Sequence, residues 1–242
     1  MAIYQVGTND APGNSVAGLF RTFERTKLYD LLAAAPLIAW YAFLVSVQLP
    51  PLVRQIAALD PSAADAGVIA GMAAKLATQA FLVVAALLLA LRRVPLRKAS
   101  GFGPRFAAVA GTFLSGAIVQ LPARGLPVPL QVVSMLLILG GIVLALSATL
   151  GLGRSLSMMP EARKLVTSGP YRVVRHPLYL GEAVSLVGVT LQFFSAWALA
   201  LLVLQWLFQL QRMSNEELVL SRAFPDYRHY QARTARLLPG LY

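Results

Sequence analysis

The 242-residue chain carries too few charges to cover the surface of a soluble domain: 57% of its residues are hydrophobic and 13% are charged. Its mean hydropathy is +0.66, whereas soluble domains contain about 25% charged residues. The composition therefore predicts an integral membrane protein and excludes a disordered chain. The absence of cysteine excludes disulfides, thiolate metal sites and a cysteine nucleophile, and we predict no metal site.

The net charge of +11 is of the size found in nucleic-acid-binding proteins. However, the basic residues do not form one stripe on a polar domain. They lie in clusters between apolar segments instead, a distribution that is typical of membrane proteins. We therefore expect the lipid bilayer as partner and no nucleic acid.

Six apolar segments predict a polytopic, all-α membrane helix bundle with about six transmembrane helices. The predicted spans are Leu31–Leu49, Val68–Leu91, Phe106–Leu121, Leu130–Leu150, Leu178–Phe194 and Ala196–Leu210. Pro50 and Pro51 are expected to stop the first helix. The last two segments are too long for one span, so we predict a helical hairpin that turns near Ser195.

The distribution of lysine and arginine orients these spans. One side of the six-span arrangement collects 18 basic residues, while the other side collects Arg54 and Arg124. Lys75 falls inside the second span. Because cytoplasmic loops are enriched in Lys and Arg, both termini are predicted to be cytoplasmic, in a membrane of the bacterial inner-membrane type.

The chain divides into two regions of different character within one structural domain. Residues 1–150 hold an N-terminal segment and four spans. Within that segment, apolar residues recur at helical spacing over 16–23, which predicts a short helix on the membrane surface or packed on the protein. Residues 151–242 hold the polar sequences and the hairpin, which places both polar stretches on one cytoplasmic face. A composite site is expected there.

Two motifs in the second region carry a family resemblance. Residues 168–181 read Ser-Gly-Pro-Tyr-Arg-Val-Val-Arg-His-Pro-Leu-Tyr-Leu-Gly, and an acidic pair on a helix is followed by spaced aromatic residues, a basic residue and proline. That second set is Glu216, Glu217, Phe224, Tyr227, Tyr230, Arg233 and Pro239. The two motifs resemble the isoprenylcysteine carboxyl methyltransferase and phospholipid methyltransferase superfamily, over roughly Gly151–Leu241.

The resemblance implies transfer of a methyl group from S-adenosyl-L-methionine to a membrane lipid, isoprenoid or other apolar acceptor. The cofactor would occupy a cytoplasmic pocket formed by the C-terminal third of the chain. The cofactor contacts implied by matching positions are Lys164, Leu165, Val166, Tyr171, His176, Pro177, Leu178, Tyr179 and Glu216. Arg212 matches an arginine that contacts the acceptor, and this favours carboxyl O-methylation of a prenylcysteine-like group.

Elementary chemistry agrees with these roles. A buried sulfonium and amine need an acid, a carboxylate needs donors, and an adenine needs an apolar or aromatic wall. Arg212 and Glu216 are spaced i, i+4 and share a helix face. Pro177 predicts that His176 is non-helical. Glu182 and Lys75 are ionisable residues at or inside apolar spans and are functional candidates for that reason; Glu182 is placed with Arg212 as a catalytic candidate.

Two alternatives stay open at this point. One is an NADPH-dependent membrane reductase related to sterol reductases, which resemble the same C-terminal region. The other is a non-enzymatic membrane protein, although paired broken helices typical of transporters are not seen in the sequence.

Overall fold

The computed structural model describes residues 26–60 and 65–240. The helix predicted over 16–23 lies outside the described residues. The helices are α1 (Lys27–Ala57), α2 (Ala66–Leu91), α3 (Phe102–Phe113), α4 (Ser115–Ile118), α5 (Val128–Leu152), α6 (Pro177–Gln192), α7 (Ala196–Ala223) and α8 (Tyr227–Arg233). The predicted predominance of helix is confirmed.

Three helical segments are long and apolar enough to cross a membrane: Lys27–Ala57, Ala66–Leu91 and Val128–Ser155. Their outward faces are apolar; Phe43 is 54% exposed and Leu87 is 57% exposed. Such a surface is stable in lipid and would be an aggregation hazard in water. The chain is therefore a membrane protein.

Side-chain caps fix the beginnings of several helices. The Thr26 hydroxyl accepts a hydrogen bond from the Tyr29 amide, and the Asp65 carboxylate accepts one from the Val68 amide. Ser195 caps α7 by accepting from the Ala198 amide. Because α6 ends at Gln192, the chain reverses over three residues at the position where the sequence predicted the hairpin.

Two boundaries differ from the prediction. Pro50 and Pro51 do not stop α1, which continues to Ala57; two prolines remove only their own amide donors, and lipid-buried segments favour continued helix. The predicted third span is divided at Leu114 into α3 and α4. Thr112 and Ser115 bond backbone carbonyls there, a competition that weakens helices.

Close helix contact between α5 and α6 organises the bundle. A Cβ atom at Gly141 would lie 2.3 Å from the Ser185 nitrogen, and one at Gly181 would lie 2.6 Å from the Ala145 nitrogen. The two backbones touch because both positions lack side chains, which is how helices pack closely in membranes. Gly181, the last residue of the first motif, thus serves packing.

A two-stranded antiparallel sheet was not predicted. It pairs β1 (Arg97–Lys98), after α2, with β2 (Glu161–Ala162), in the loop after α5. The amide of Leu96 also donates to the Ala162 carbonyl at 2.7 Å. The sheet ties the loop after α2 to the polar segment that precedes α6.

Candidate active site

A polar cavity lies where α6 begins, between the loop after α5, the second half of α7, and α8. Most of the predicted cofactor contacts line it: Lys164, Leu165, Val166, Tyr171, His176, Leu178, Tyr179 and Glu216. Pro177 is the exception, because it is fully buried and lies off the cavity wall. As the first residue of α6, its ring fixes the helix start, and this explains its presence in the motif.

His176 stands directly before α6 with φ −126° and ψ 57°, so it is non-helical, as Pro177 predicted. Its backbone amide donates to the Arg236 carbonyl at 3.1 Å, and the Arg175 amide donates to the Ala235 carbonyl at 2.8 Å. The C-terminal segment is therefore bonded along the motif loop and holds the imidazole against the cavity.

Glu217 collects three positively charged or protonatable partners. Its Oε1 atom accepts from Arg175 Nε at 3.0 Å, lies 3.1 Å from His176 Nε2 and lies 3.3 Å from Arg236 Nε. Burial alone would raise the pKa of Glu217, but the hydrogen bond with His176 and the charges of Arg236 and Arg175 hold that pKa below its ordinary value. Glu217 thus links α7 to the loop that holds Arg175 and His176, and to the C-terminal segment that holds Arg236.

Glu216, the neighbour of Glu217, faces the cavity instead. It accepts a short hydrogen bond from the Tyr179 hydroxyl. The Tyr179 ring in turn lies under the Arg212 guanidinium, 5.0 Å from the ring centroid, a cation–π distance. Arg212, Glu216 and Tyr179 therefore form one charged and aromatic wall, as the i, i+4 spacing on α7 predicted.

Arg212 also reaches a second cavity, which lies among the membrane helices. This cavity is lined by α1, α2, α3, α5 and α6 residues that include Tyr41, Phe81, Thr112 and Glu182. Glu182 does not line the polar cavity. Arg212, with Leu178 and Ser157, lines both cavities, so its side chain stands at the boundary between the polar cavity and the cavity inside the helix bundle.

A carboxamide connects Arg212 to Glu182. Arg212 Nη1 donates to Gln209 Oε1 at 2.8 Å, and Gln209 Nε2 donates to Glu182 Oε2 at 2.6 Å. Because one amide bonds both charges, each is held without direct contact between them. Gly111 of α3 allows this arrangement: a Cβ atom there would lie 2.8 Å from Arg212 Cδ.

Several cavity residues were missed as ligand contacts in the sequence. Tyr227 and Tyr230 of α8, which belong to the second motif but were not predicted as cofactor contacts, line the polar cavity. Burial raises the pKa of Tyr230 to about 12, so its hydroxyl stays protonated and donates to the Tyr171 carbonyl at 2.6 Å. Their i, i+3 spacing after the acidic pair was the available signal.

Glu161 and Arg163 also line the polar cavity, and neither was predicted. Arg163 donates to Asp30 of α1 at 2.8 Å, and Asp30 also accepts from Arg92 Nε at 3.0 Å. All three side chains are buried. No local sequence pattern predicts contacts between residues that are so far apart in the chain.

Within the described segments 26–60 and 65–240, no group of three or more His, Asp or Glu side chains could hold a metal ion. The site therefore offers ionic, aromatic and hydrogen-bonding groups. Such a set suits an organic ligand that carries both charges and a flat ring.

Residues 130–227 match the model of the phospholipid methyltransferase family. The match spans α5 to the beginning of α8 and includes all the predicted site residues. This match over part of the chain agrees with the resemblance to phospholipid methyltransferases that the two motifs carry.

Two curated relatives match over shorter stretches. The nickel-cobalt-cadmium resistance protein NccN of Alcaligenes xylosoxydans xylosoxydans is 35% identical over 82 residues, which is 34% of this chain and 38% of the relative. The cobalt-zinc-cadmium resistance protein CzcN of Cupriavidus metallidurans is 35% identical over 78 residues, 32% of this chain and 36% of the relative. The matches thus span less than two fifths of either relative.

Among solved structures, the eukaryotic intramembrane Ras methyltransferase ICMT (isoprenylcysteine carboxyl methyltransferase) aligns over 95% of this chain and 88% of its own. The TM-score is 0.45 and the sequence identity 19%.

Proposed function

We propose that the chain is an integral-membrane methyltransferase that transfers a methyl group from S-adenosyl-L-methionine to an apolar acceptor. The observation that carries this proposal is the pair of cavities that meet at Arg212. One is lined mainly by charged and aromatic side chains, and the other lies inside the helix bundle, where Leu37, Phe81 and Leu89 contribute to its lining. A polar donor and a lipid-soluble acceptor need such adjoining chambers. The family match over residues 130–227 supports the same class.

The polar cavity fits this cofactor by the chemistry of its side chains. Glu216 supplies a carboxylate for the amine and sulfonium, Arg175 and Lys164 supply positive charge for the carboxylate, and Tyr171 offers an aromatic wall for the adenine. Tyr227 Oη, a buried atom on the cavity wall, has no hydrogen-bond partner among the described residues, and neither has Arg212 Nε at the boundary where the acceptor would lie. Such atoms are expected where a ligand completes the site.

When bound, S-adenosylmethionine supplies an electrophilic methyl group, whose carbon–sulfur bond breaks as a lone pair of the acceptor forms the new bond in line with it. The chain's part is positioning and exclusion of water. Arg212, held by Gln209 and by the Tyr179 ring, orients the acceptor at the boundary. The apolar side chains around it keep the nucleophilic atom desolvated and therefore reactive.

Two acceptor classes place different demands on this boundary. A carboxylate needs only the Arg212 guanidinium, which binds it in a bidentate manner; a prenylcysteine-like group is of this kind. An amine, hydroxyl or thiol must lose a proton, and Glu182 would accept it. Glu182→Gln keeps the shape and removes this base. We therefore expect turnover to survive in Glu182→Gln for a carboxylate acceptor and to be lost for a protic one.

We further propose that the six predicted spans lie in a bacterial-type inner membrane, with both termini and the polar cavity on the cytoplasmic side. In this arrangement residues 1–150 supply four spans that form much of the cavity inside the helix bundle. Residues 151–242 supply the cofactor site and the hairpin. The support is the 18-to-2 distribution of basic residues.

The test is direct. Purified protein is incubated with methyl-labelled S-adenosylmethionine and total membrane lipid, and mass spectrometry identifies the species that gains the label. In parallel, S-adenosylhomocysteine should raise the melting temperature of the detergent-solubilised protein, because a ligand that binds only the folded state stabilises it.

NADPH serves as the matched control in the melting experiment. Stabilisation by NADPH but not by S-adenosylhomocysteine would favour the reductase and reject the proposal. Stabilisation by neither, with no labelled product, would favour a non-enzymatic membrane protein.

A further inference from the structure

A second polar cluster lies at the opposite end of the helices from the polar cavity. Whereas α6 begins beside that cavity, it ends at Gln192, which lines a groove between α1, α2 and α5. We call this the lateral groove. Its polar lining is Gln48, Gln55, Lys75, Thr78, Gln79 and Gln192. Such residues are costly within apolar spans and mark functional sites there.

Lys75 gives the lateral groove a positive charge. Its ammonium donates to Gln55 Oε1 at 3.0 Å, which is a neutral partner. No carboxylate among residues 26–60 and 65–240 lies within ion-pairing distance of it. The charge is therefore available to an anion.

Gln79 follows Lys75 by one helical turn, on the same face of α2. It is only 6% exposed, and its amide nitrogen donates to Gln48 Oε1 at 2.9 Å. Its own Oε1 atom accepts no hydrogen bond from the described part of the chain. An unpaired buried acceptor destabilises the fold. We therefore expect a ligand to donate a hydrogen bond to Gln79 Oε1, one helical turn from the Lys75 ammonium.

The lateral groove is continuous with the helix ends. A neighbouring cavity shares Gln55 and Lys75 with it and extends to Asp60 and Gln131. Lys75 lies nine residues after the start of α2, a rise of about 14 Å. The two cavities thus form one polar path from the helix ends to the level of Lys75.

Outward-facing side chains beside this path are apolar. Val47, which lines the groove, is 55% exposed, and Leu76, the neighbour of Lys75, is 46% exposed. A ligand that fits must therefore combine a polar, anionic part with hydrocarbon that can lie along the helices.

We propose that the lateral groove binds one anionic phospholipid whose head group carries hydroxyl groups, such as phosphatidylglycerol. The phosphate would accept hydrogen bonds from the Lys75 ammonium, and a head-group hydroxyl would donate to Gln79 Oε1. The acyl chains would lie against Val47 and Leu76. This lipid site is separate from the methyl-transfer site and independent of the proposed function.

The experiment uses the full chain in detergent and native mass spectrometry to measure binding of dioleoyl phosphatidylglycerol, without methyl donor or acceptor. We expect one tightly bound lipid, held roughly tenfold more tightly than dioleoyl phosphatidylcholine. Phosphatidylcholine offers the same phosphate, but it brings a quaternary ammonium close to Lys75 and has no head-group hydroxyl for Gln79. Lys75→Met should abolish this preference, Lys75→Arg should keep it, and Gln79→Leu should weaken binding. Arg54→Met is the matched control. Arg54 is an exposed cation near the C-terminal end of α1, next to Gln55, but it does not line the lateral groove.

Equal binding of the two lipids by the wild-type protein, or unchanged preference in Lys75→Met, would overturn the proposal. Displacement of the lipid by millimolar inorganic phosphate would indicate a site for free anions and would overturn it as well. Melting temperatures without added lipid show which variants are folded. If Lys75→Met is not folded, Lys75→Gln replaces it in the same binding experiment.

Discussion

Asp30 Oδ1 accepts a hydrogen bond from Arg163 Nη2 at 2.8 Å, although 133 positions separate the two residues. The bond joins the first turn of α1 to the segment that leads into Lys164, Leu165 and Val166 on the polar cavity wall. A buried carboxylate in the first membrane helix thus sets the position of a loop near the middle of the chain.

We expect Asp30→Asn to lower stability and to weaken S-adenosylhomocysteine binding. Loss of the Asp30 charge leaves the buried Arg92 without a carboxylate partner and Arg163 with Glu161 alone, at a cost of about 3–5 kcal/mol. Thermal melting and calorimetry measure the two effects. Asp226→Asn, at an exposed aspartate before α8, is the control. Wild-type affinity in a destabilised Asp30→Asn protein would show that the cluster supports the fold without positioning the loop.

Arg212→Lys should separate binding from catalysis. Lysine keeps the charge but cannot orient an acceptor through two parallel bonds, so methyl transfer should fall roughly 100-fold, as after loss of one positioned donor. S-adenosylhomocysteine affinity should stay near the wild-type value. Arg222→Lys, at an exposed position on the same helix, should change neither quantity. Full turnover in Arg212→Lys would remove Arg212 from the site.

The Glu217 cluster should make the protein acid-sensitive. Because the pKa of Glu217 is lower in the folded state than its ordinary value of 4.5, its stabilising contribution is complete above about pH 4.5. That contribution is lost as the pH falls through the lower, folded-state pKa. Glu217→Gln should be less stable at neutral pH and should show a flatter decline of melting temperature between about pH 5 and pH 3. An unchanged decline would assign the acid sensitivity to other groups.

Adjacent glycines of α5 provide a matched pair for helix packing. A Cβ atom at Gly141 would overlap the Ser185 backbone, whereas one at Gly140 would meet nothing within 4 Å. Gly141→Ala should therefore separate α5 from α6 and lower both melting temperature and cofactor binding. Gly140→Ala should be neutral or stabilising by up to about 1 kcal/mol. Equal behaviour of the two variants would show that α5 and α6 do not touch as described.

Single cysteines test the predicted topology, since the chain has none of its own. Ser100 and Ala123 are both exposed, in the loops after α2 and α4. In intact cells an impermeant thiol reagent should label Ala123→Cys and spare Ser100→Cys, because the loop with Ser100 is rich in basic residues. The reverse labelling pattern would invert the orientation.

The sequence predicted the parts of the molecule that depend on local pattern. Apolar length located the helices, Pro177 located the start of α6, and the i, i+4 spacing placed Arg212 and Glu216 on one wall. The two motifs predicted the resemblance with which the family match over residues 130–227 agrees. Each of these follows from residues close together in the chain.

Long-range pairing could not be predicted in the same way. The partners of Asp30 are decided by the packing of α1 against a distant loop, and no periodicity records it. Glu182 was placed beside the acceptor by its depth in a span, but its link to Arg212 through Gln209 needed the crossing of α6 and α7. The continuation of α1 past Pro50 shows that surroundings can override a local helix breaker.

The wall of the polar cavity also constrains how the protein is made. It is assembled from 152–179, from the second half of α7, and from α8 with the strand-like segment that bonds Arg175 and His176. When translation has released the chain only as far as the end of α7, the loop that holds the first motif and the acidic pair have already left the ribosome. Tyr227, Tyr230 and the carbonyls of Ala235 and Arg236 are still inside its tunnel. Every helix long enough to span the bilayer can therefore enter the membrane before the polar cavity is complete.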